Sequence, residues 1–239
     1  MFAIWQTVVW LFAMPQYLLP GPGPVFVSLA KNSAAILSQT WWTAATILAG
    51  FILAAAFAIP LAMVIVISPL LERLVYPPMV ATQSIPKIAL APLFIVWFGF
   101  GVVPKVAVAF LIAFFPIVID TIVGLRSIDP AMLQLARSMG APPHRIFRKI
   151  RLPYALPAIF GGLKVASSLA VVGALTGEFV GSDKGLGYML VQASGNLNTA
   201  LLFATLVVLS ALAMAFFYLI EMLERIAIPW HASQRQHPH

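Results

Sequence analysis

An all-α, polytopic membrane protein is the fold class this sequence predicts, and three observations carry it. Of 239 residues, 62% are hydrophobic and 9% charged, where a soluble domain has about half and about a quarter. Mean hydropathy is +0.99. The apolar stretches are long, continuous and rich in Ala, Leu, Ile and Val, so helices rather than barrel strands cross the bilayer. With 14 Lys and Arg and 7 Asp and Glu, too few charges exist to solvate a globular surface. An ordinary soluble enzyme and a disordered chain are both excluded. The pI of about 10.1 reflects the bias of basic residues to cytoplasmic loops, so no nucleic-acid partner is expected. The chain has no cysteine, which removes disulfides and thiolate chemistry.

Six transmembrane helices are expected. The first lies within Phe2–Leu19, interrupted by Gln6 and Pro15, and reads as a retained anchor because no basic flank precedes it. A polar Pro/Gly-rich link follows, from Pro20 to Gln39. Trp41–Ile67 is the clearest span, with Trp41 and Trp42 as interface anchors and a kink at Pro60. Glu72 and Arg73 end it. A Pro-studded segment, Tyr76–Lys87, leads to a third span at Ile88–Phe100. Gly99, Gly101 and Pro104 turn the chain into a fourth, Val106–Val123. Gly124–Pro153 carries six of the 14 basic residues and is the main aqueous loop. The fifth span is Tyr154–Thr176, followed by a polar, Gly-rich loop, Gly177–Asn198. The sixth is Thr199–Ile220. The division expected is therefore 1–40, an N-terminal helix and external link; 41–230, the transmembrane domain; and 231–239, a disordered cytoplasmic tail.

Basic residues set the orientation. With the long loop inside, nine lie on the cytoplasmic side and three, Lys31, Lys105 and Lys184, outside. Both termini are then cytoplasmic, as an even number of spans requires.

The loop 124–153 holds the most information. Asp129 is a good N-cap and Pro130 suits the first helical turn, so Ala131–Met139 is a short helix. Gly140 stops it and Pro142–Pro143 prevents continuation. A second helix, His144–Arg151, sets Ile146, Phe147 and Ile150 on one side and four cations around the other. Its apolar side is too small for a core and should dock. Two surfaces would accept it: anionic lipid headgroups or a groove on a cytoplasmic partner protein.

The spacing resembles the EAA loop of binding-protein-dependent ABC-transporter permeases: Glu-Ala-Ala, three residues, Gly, nine residues, Ile, one residue, Leu-Pro. Here these positions are Gln134–Leu135–Ala136, Gly140, Ile150 and Leu152–Pro153. Gln134 replaces the acidic residue and Leu135 the first Ala, so an ion pair from that position is not expected. Ile85–Gly101, Ala113–Pro130 and Gly177–Leu190 resemble the nitrate, sulfonate, taurine and pyrimidine-precursor branch, in the same order.

The resemblance implies a MetI-like permease fold in the bacterial inner membrane, and an importer. A dimer of ATP-binding cassette ATPases grips the loop, an external substrate-binding protein delivers solute, and a second copy of the chain completes the pathway. The coupling residues implied are Gln134, Ala136, Gly140, Ala141, Ile146, Phe147 and Ile150. ATP and Mg bind the partner ATPase, since no phosphate loop occurs here. The solute implied is a thiamine or riboflavin precursor, or a sulfonate, taurine or nitrate-type anion.

Ionisable residues within spans default to a pathway or an internal pair. Asp120, Lys164 and Glu178 are the candidates, with aromatic Trp97. Helix-end packing is the alternative for Asp120 and Glu178. Lys164 has three: lining the path, snorkelling to the cytoplasmic face, or pairing with Asp120. The four His show no metal-ligand spacing, and no Ser/His/Asp arrangement exists, so catalysis is not expected. An ATPase-independent secondary transporter or channel is the alternative function. It would need inverted repeats and a deep charged relay, neither of which is evident.

Overall fold

The computed structural model describes residues 2–12, 15 and 17–229. The expectation of a disordered tail at 231–239 lies outside them. Helices account for almost all described residues: α1 (Phe2–Leu11), α2 (Pro22–Lys31), α3 (Ser33–Ile67), α4 (Pro69–Ala81), α5 (Ala91–Phe98), α6 (Val102–Arg126), α7 (Pro130–Ser138), α8 (Pro143–Ile146), α9 (Leu152–Gly181), α10 (Leu186–Gly195) and α11 (Thr199–Ala227).

Four helices among the described residues are long and apolar enough to cross a bilayer: α3, α6, the continuous run from Pro143 to Gly181, and α11. Leu70–Ser84 followed by Lys87–Phe98 is a sharply bent pair, apolar enough together for a broken fifth span or a re-entrant loop. Six intact spans are therefore not seen. The expected first span is a helix of 10 residues, which reaches about 15 Å where hydrocarbon is about 30 Å thick. The third, expected at Ile88–Phe100, is the helical run Lys87–Phe98, parted from Leu70–Ser84 because Pro86 forces Ile85 into an extended conformation. Gly99 at φ +74° ends α5.

Several segments expected to be loops are helical. The 20–39 link holds α2, which Pro22 and Pro24 can start because early helical N–H groups have no partner to lose. Asn32 separates it from α3 by folding its side-chain amide back onto the Ser28 carbonyl. The 177–198 loop is mostly helix: α9 runs to Gly181, and α10 buries Leu186, Gly187, Met189, Leu190 and Ala193. The second coupling helix does not stop before Pro153. It passes through a π-helical turn, Phe147–Arg151, directly into α9. The wider turn leaves room for the Pro153 ring, which would otherwise meet the carbonyl four residues back.

The described residues form two compact units, one within 2–49, 88–109 and 171–215 and the other within 50–87, 110–170 and 216–229. In the first, α6 and α9 approach so closely that a Cβ on Gly173 would sit 2.6 Å from Ala109. In the second, Gly124 faces Ala155 and Ala158, and Gly162 faces Asp120 and Pro116. Small residues let backbones meet, which is what holds helices together where lipid removes the hydrophobic drive. Leu125, Ala155 and Ile159 centre the second unit's core, flanked by Ile59, Met63, Val66 and Phe147.

Candidate coupling loop and charges within the spans

The loop after α6 is built from local signals. The Asp129 carboxylate accepts from the Ala131 N–H at 2.8 Å, capping α7. At the other end the Gly140 N–H donates to Arg137 O (2.9 Å) and the Ala141 N–H to Ala136 O (3.1 Å). That double closure needs a left-handed residue, and Gly140 supplies φ +74°. Nothing lies within 4 Å of where its Cβ would be. Within this chain, glycine is required there by backbone conformation. Pro142 is extended, and its carbonyl accepts from Arg145 and Ile146 to start α8.

The loop's apolar residues divide differently from expectation. Ile146 is buried, and Phe147 packs against this chain's own core. They are not free to dock. Ala136 is also buried, Ala141 and Ile150 are half-buried, and Gln134 is exposed. The free apolar surface is on α7: Met132, Leu135 and Met139 are 50%, 63% and 79% exposed. Sequence reasoning missed this ridge, although the spacing 132, 135, 139 was its signal. Beside it an open groove of about 850 Å³ is lined by Val66, Ile67, Arg137, His144 and Arg151, among others. Among the described residues no carboxylate ion-pairs with Arg137, Arg145, Arg148, Lys149 or Arg151. Arg126 differs, pairing with Glu72 of α4.

Within the spans, Lys164 pairs with Glu224 of α11 at 2.7 Å. Pairing with Asp120 was one of the three alternatives for Lys164, and no described residue forms an ion pair with Asp120. Asp120 instead packs its methylene against Gly162. Glu224 lies beyond the expected end of the sixth span at Ile220, but α11 continues to Ala227 and so carries it alongside Lys164.

Glu178 is buried at 2% exposure. It accepts from Thr43 Oγ1 (2.9 and 3.1 Å) and from the Gly187 N–H (2.7 Å). Thr43 Oγ1 in turn accepts from the Leu186 N–H at 2.7 Å. The carboxylate thus ties α9 to α3 and to the start of α10. Gly185 adopts φ +111°, and a Cβ there would fall 2.3 Å from the Glu178 carboxyl carbon. Lys105, also buried, donates to Ser182 at 2.8 Å. Thr43, a polar residue at the start of an uncharged span, and the Gly185–Leu186–Gly187 triplet were the sequence signals of this knot. Trp97 is 61% exposed, its ring near Phe94.

No described group of His, Cys, Asp or Glu could hold a metal. What stands out is a capped, solvent-facing helix pair between long apolar helices. Residues 54–227 match the family of binding-protein-dependent transport system inner membrane components. The chain belongs to this family. A formylaminopyrimidine transport permease, ThiX, from Halalkalibacterium halodurans is 36% identical over 97% of this chain and 92% of its own length. A riboflavin transport system permease, RibX, from Chloroflexus aurantiacus is 37% identical over 96% and 86%. The MetNI methionine ABC transporter, in inward-facing conformations, supplies a structure at TM-score 0.70 and 23% identity, covering 80% of this chain and 95% of that one. It shows that the fold is MetI-like.

As a permease of this family the chain is a multi-pass, inner-membrane subunit of an ABC importer. It is not itself an enzyme, and ATP hydrolysis occurs on a separate ATPase. Membership also implies an external substrate-binding protein.

Proposed function

We propose that this permease imports a small heteroaromatic vitamin precursor of the thiamine or riboflavin type, as two copies of the chain coupled to ATPase subunits through the 124–153 loop. The observation that carries the coupling is the α7 ridge, Met132, Leu135 and Met139, exposed on a helix fixed at both ends by its own caps. An apolar helix face presented this way fits a groove on a partner. Gln134, Ala136, Gly140, Ala141, Ile146, Phe147 and Ile150 then form the scaffold, Ala136 and Ile146 from beneath and Gly140 at the turn. ATP and Mg bind on the ATPase. The support for the solute is the naming of the two relatives above. A sulfonate, taurine or nitrate-type anion is the other reading, favoured by relatives named as permeases for aliphatic sulfonates (29% identical) and taurine (26%).

The loop lies on the cytoplasmic face, because the basic excess is there, and the C-terminus lies with it. With five crossings, the end of α3 at Ser33 is external, as Lys31 also requires. A cytoplasmic N-terminus then needs Phe2–Leu19 to cross as well. Residues 41–230 act as the permease domain.

The deciding experiment is ATP-dependent uptake into proteoliposomes holding the permease, its ATPase and its binding protein. Formylaminopyrimidine, riboflavin and taurine are offered in parallel. Uptake of the first or second supports the proposal. Uptake of taurine alone moves the solute to the sulfonate class, and uptake independent of ATP favours a secondary transporter.

A further inference from the structure

We infer that the break between α4 and α5, Thr82 to Lys87, is a water-exposed solute contact within the membrane pathway, with Lys87 as its cation. This rests on the importer reading above. The break lies ten residues beyond Glu72 and twelve before Gly99, in the middle of the bent pair that the importer reading takes as one crossing. Two short 3₁₀ turns, Thr82–Ser84 and Lys87–Leu90, part at Ile85–Pro86, where the helical ladder is interrupted; lipid cannot satisfy backbone freed there, so it survives at membrane depth only inside protein or facing water. This chain does not bury it: residues 82–86 are all exposed. Its side chains are polar as well, with Thr82, Gln83 and Ser84 in a row. Only the Thr82 hydroxyl is tied back, to Met79 O at 2.7 Å.

The lysines of α6 and α9 are committed. Lys164 holds Glu224, and Lys105 is buried on Ser182. Lys87 has no carboxylate partner among the described residues. Its ammonium sits 4.6 Å from the centre of the Phe115 ring, a contact that leaves its outer donors open. A cation above a ring, with an amide and a hydroxyl three to four residues before it in the chain, fits a small solute with an anionic or acceptor-rich group and a flat apolar body. Lys87 therefore replaces Lys164 as the residue that meets the solute.

The test uses the absence of native cysteine. Gln83→Cys, Ser84→Cys and, as a reference on an exposed apolar face of α3, Ile52→Cys are each placed in the assembled permease–ATPase complex in liposomes. Each is treated with sulfonatoethyl methanethiosulfonate, an anionic probe, and with its trimethylammonium counterpart. Copurified ATPase reports assembly. Positions 83 and 84 are expected to react with both reagents and position 52 with neither. Adding Lys87→Gln is expected to lower the anionic-to-cationic rate ratio at 83 and 84 by about tenfold. Protection of 83 and 84 in the assembled complex would mean that a second copy or lipid covers the break, and would overturn the site. An unchanged ratio would remove Lys87 from it. Fast, charge-selective labelling that does not respond to ATP would support the site while counting against the ATP-driven reading.

Discussion

Lys164 and Glu224 are 28% and 13% exposed at their side chains, enough water to soften the pair but not to dissolve it. Lys164→Met should strand the carboxylate and cost about 1–3 kcal/mol, less than a fully buried pair because of that exposure. Lys164→Met with Glu224→Gln should recover most of the loss, and Lys164→Met with Asp120→Asn should not. Thermal unfolding in detergent separates the two doubles. Gly185→Ala combines a left-handed backbone with a collision at Glu178, and should cost about 2–4 kcal/mol. Thr43→Val removes a donor and an acceptor from the same knot and should cost about 1–3 kcal/mol. The charges themselves were legible in the sequence, but their partners were not. Lys164 could be seen to need a counter-charge, yet choosing Glu224 over Asp120 depends on where α11 ends, and nothing local in the sequence stops that helix at Ile220 rather than Ala227.

At the scale of elements, α7 is held by signals that act within a few residues, so it could be read directly: Asp129 and Pro130 begin it and Gly140 ends it. The outcome differed wherever an end depended on a neighbour. Proline marks a boundary in most sequences, yet α9 runs through Pro153 because a wider turn precedes it, and α2 begins on prolines taken for a link. The exposed ridge was hidden for a related reason. Ile146 and Phe147 look like docking residues until the fold buries the first and packs the second on the core of Leu125, Ala155 and Ile159. Leu135→Glu should leave insertion and the α7 fold intact while ATPase copurification falls at least about tenfold, as loss of a buried interface anchor does. Gly140→Val should also uncouple transport through strain at φ +74°, roughly 1–2 kcal/mol on the turn, and Gly140→Asn, which tolerates that region, should keep more activity. Uptake rates beside expression levels report both.

For the whole molecule, membrane class and the position of the main loop followed from composition and charge alone, because lipid leaves a chain few options. The number of crossings did not. An apolar run is visible as hydropathy, but whether it is one helix, two pieces or a short stub depends on backbone breaks that a composition window averages away. External thiol labelling at introduced positions 32, 103 and 184, and internal labelling at 145, should confirm the loop side. Position 2 then decides the N-terminus. External labelling there gives the five-crossing count, and internal labelling shows that Phe2–Leu19 crosses despite the brevity of α1.

The π-helical turn at Phe147–Arg151 has a consequence for timing along a single rod. Such a turn holds one residue more than a regular helix would over the same rise, so everything on one side is out of phase with the other. Removing one residue there, Lys149 for instance, would make the run from Pro143 to Gly181 regular. It would also turn α7 by about 100° about the axis of α9 and draw it in by about 1.5 Å. The docking ridge would then point a quarter-turn away from its partner, with every one of its residues unchanged. A deletion variant that inserts and unfolds like the parent yet no longer captures the ATPase would show that this surplus residue sets the angle of engagement.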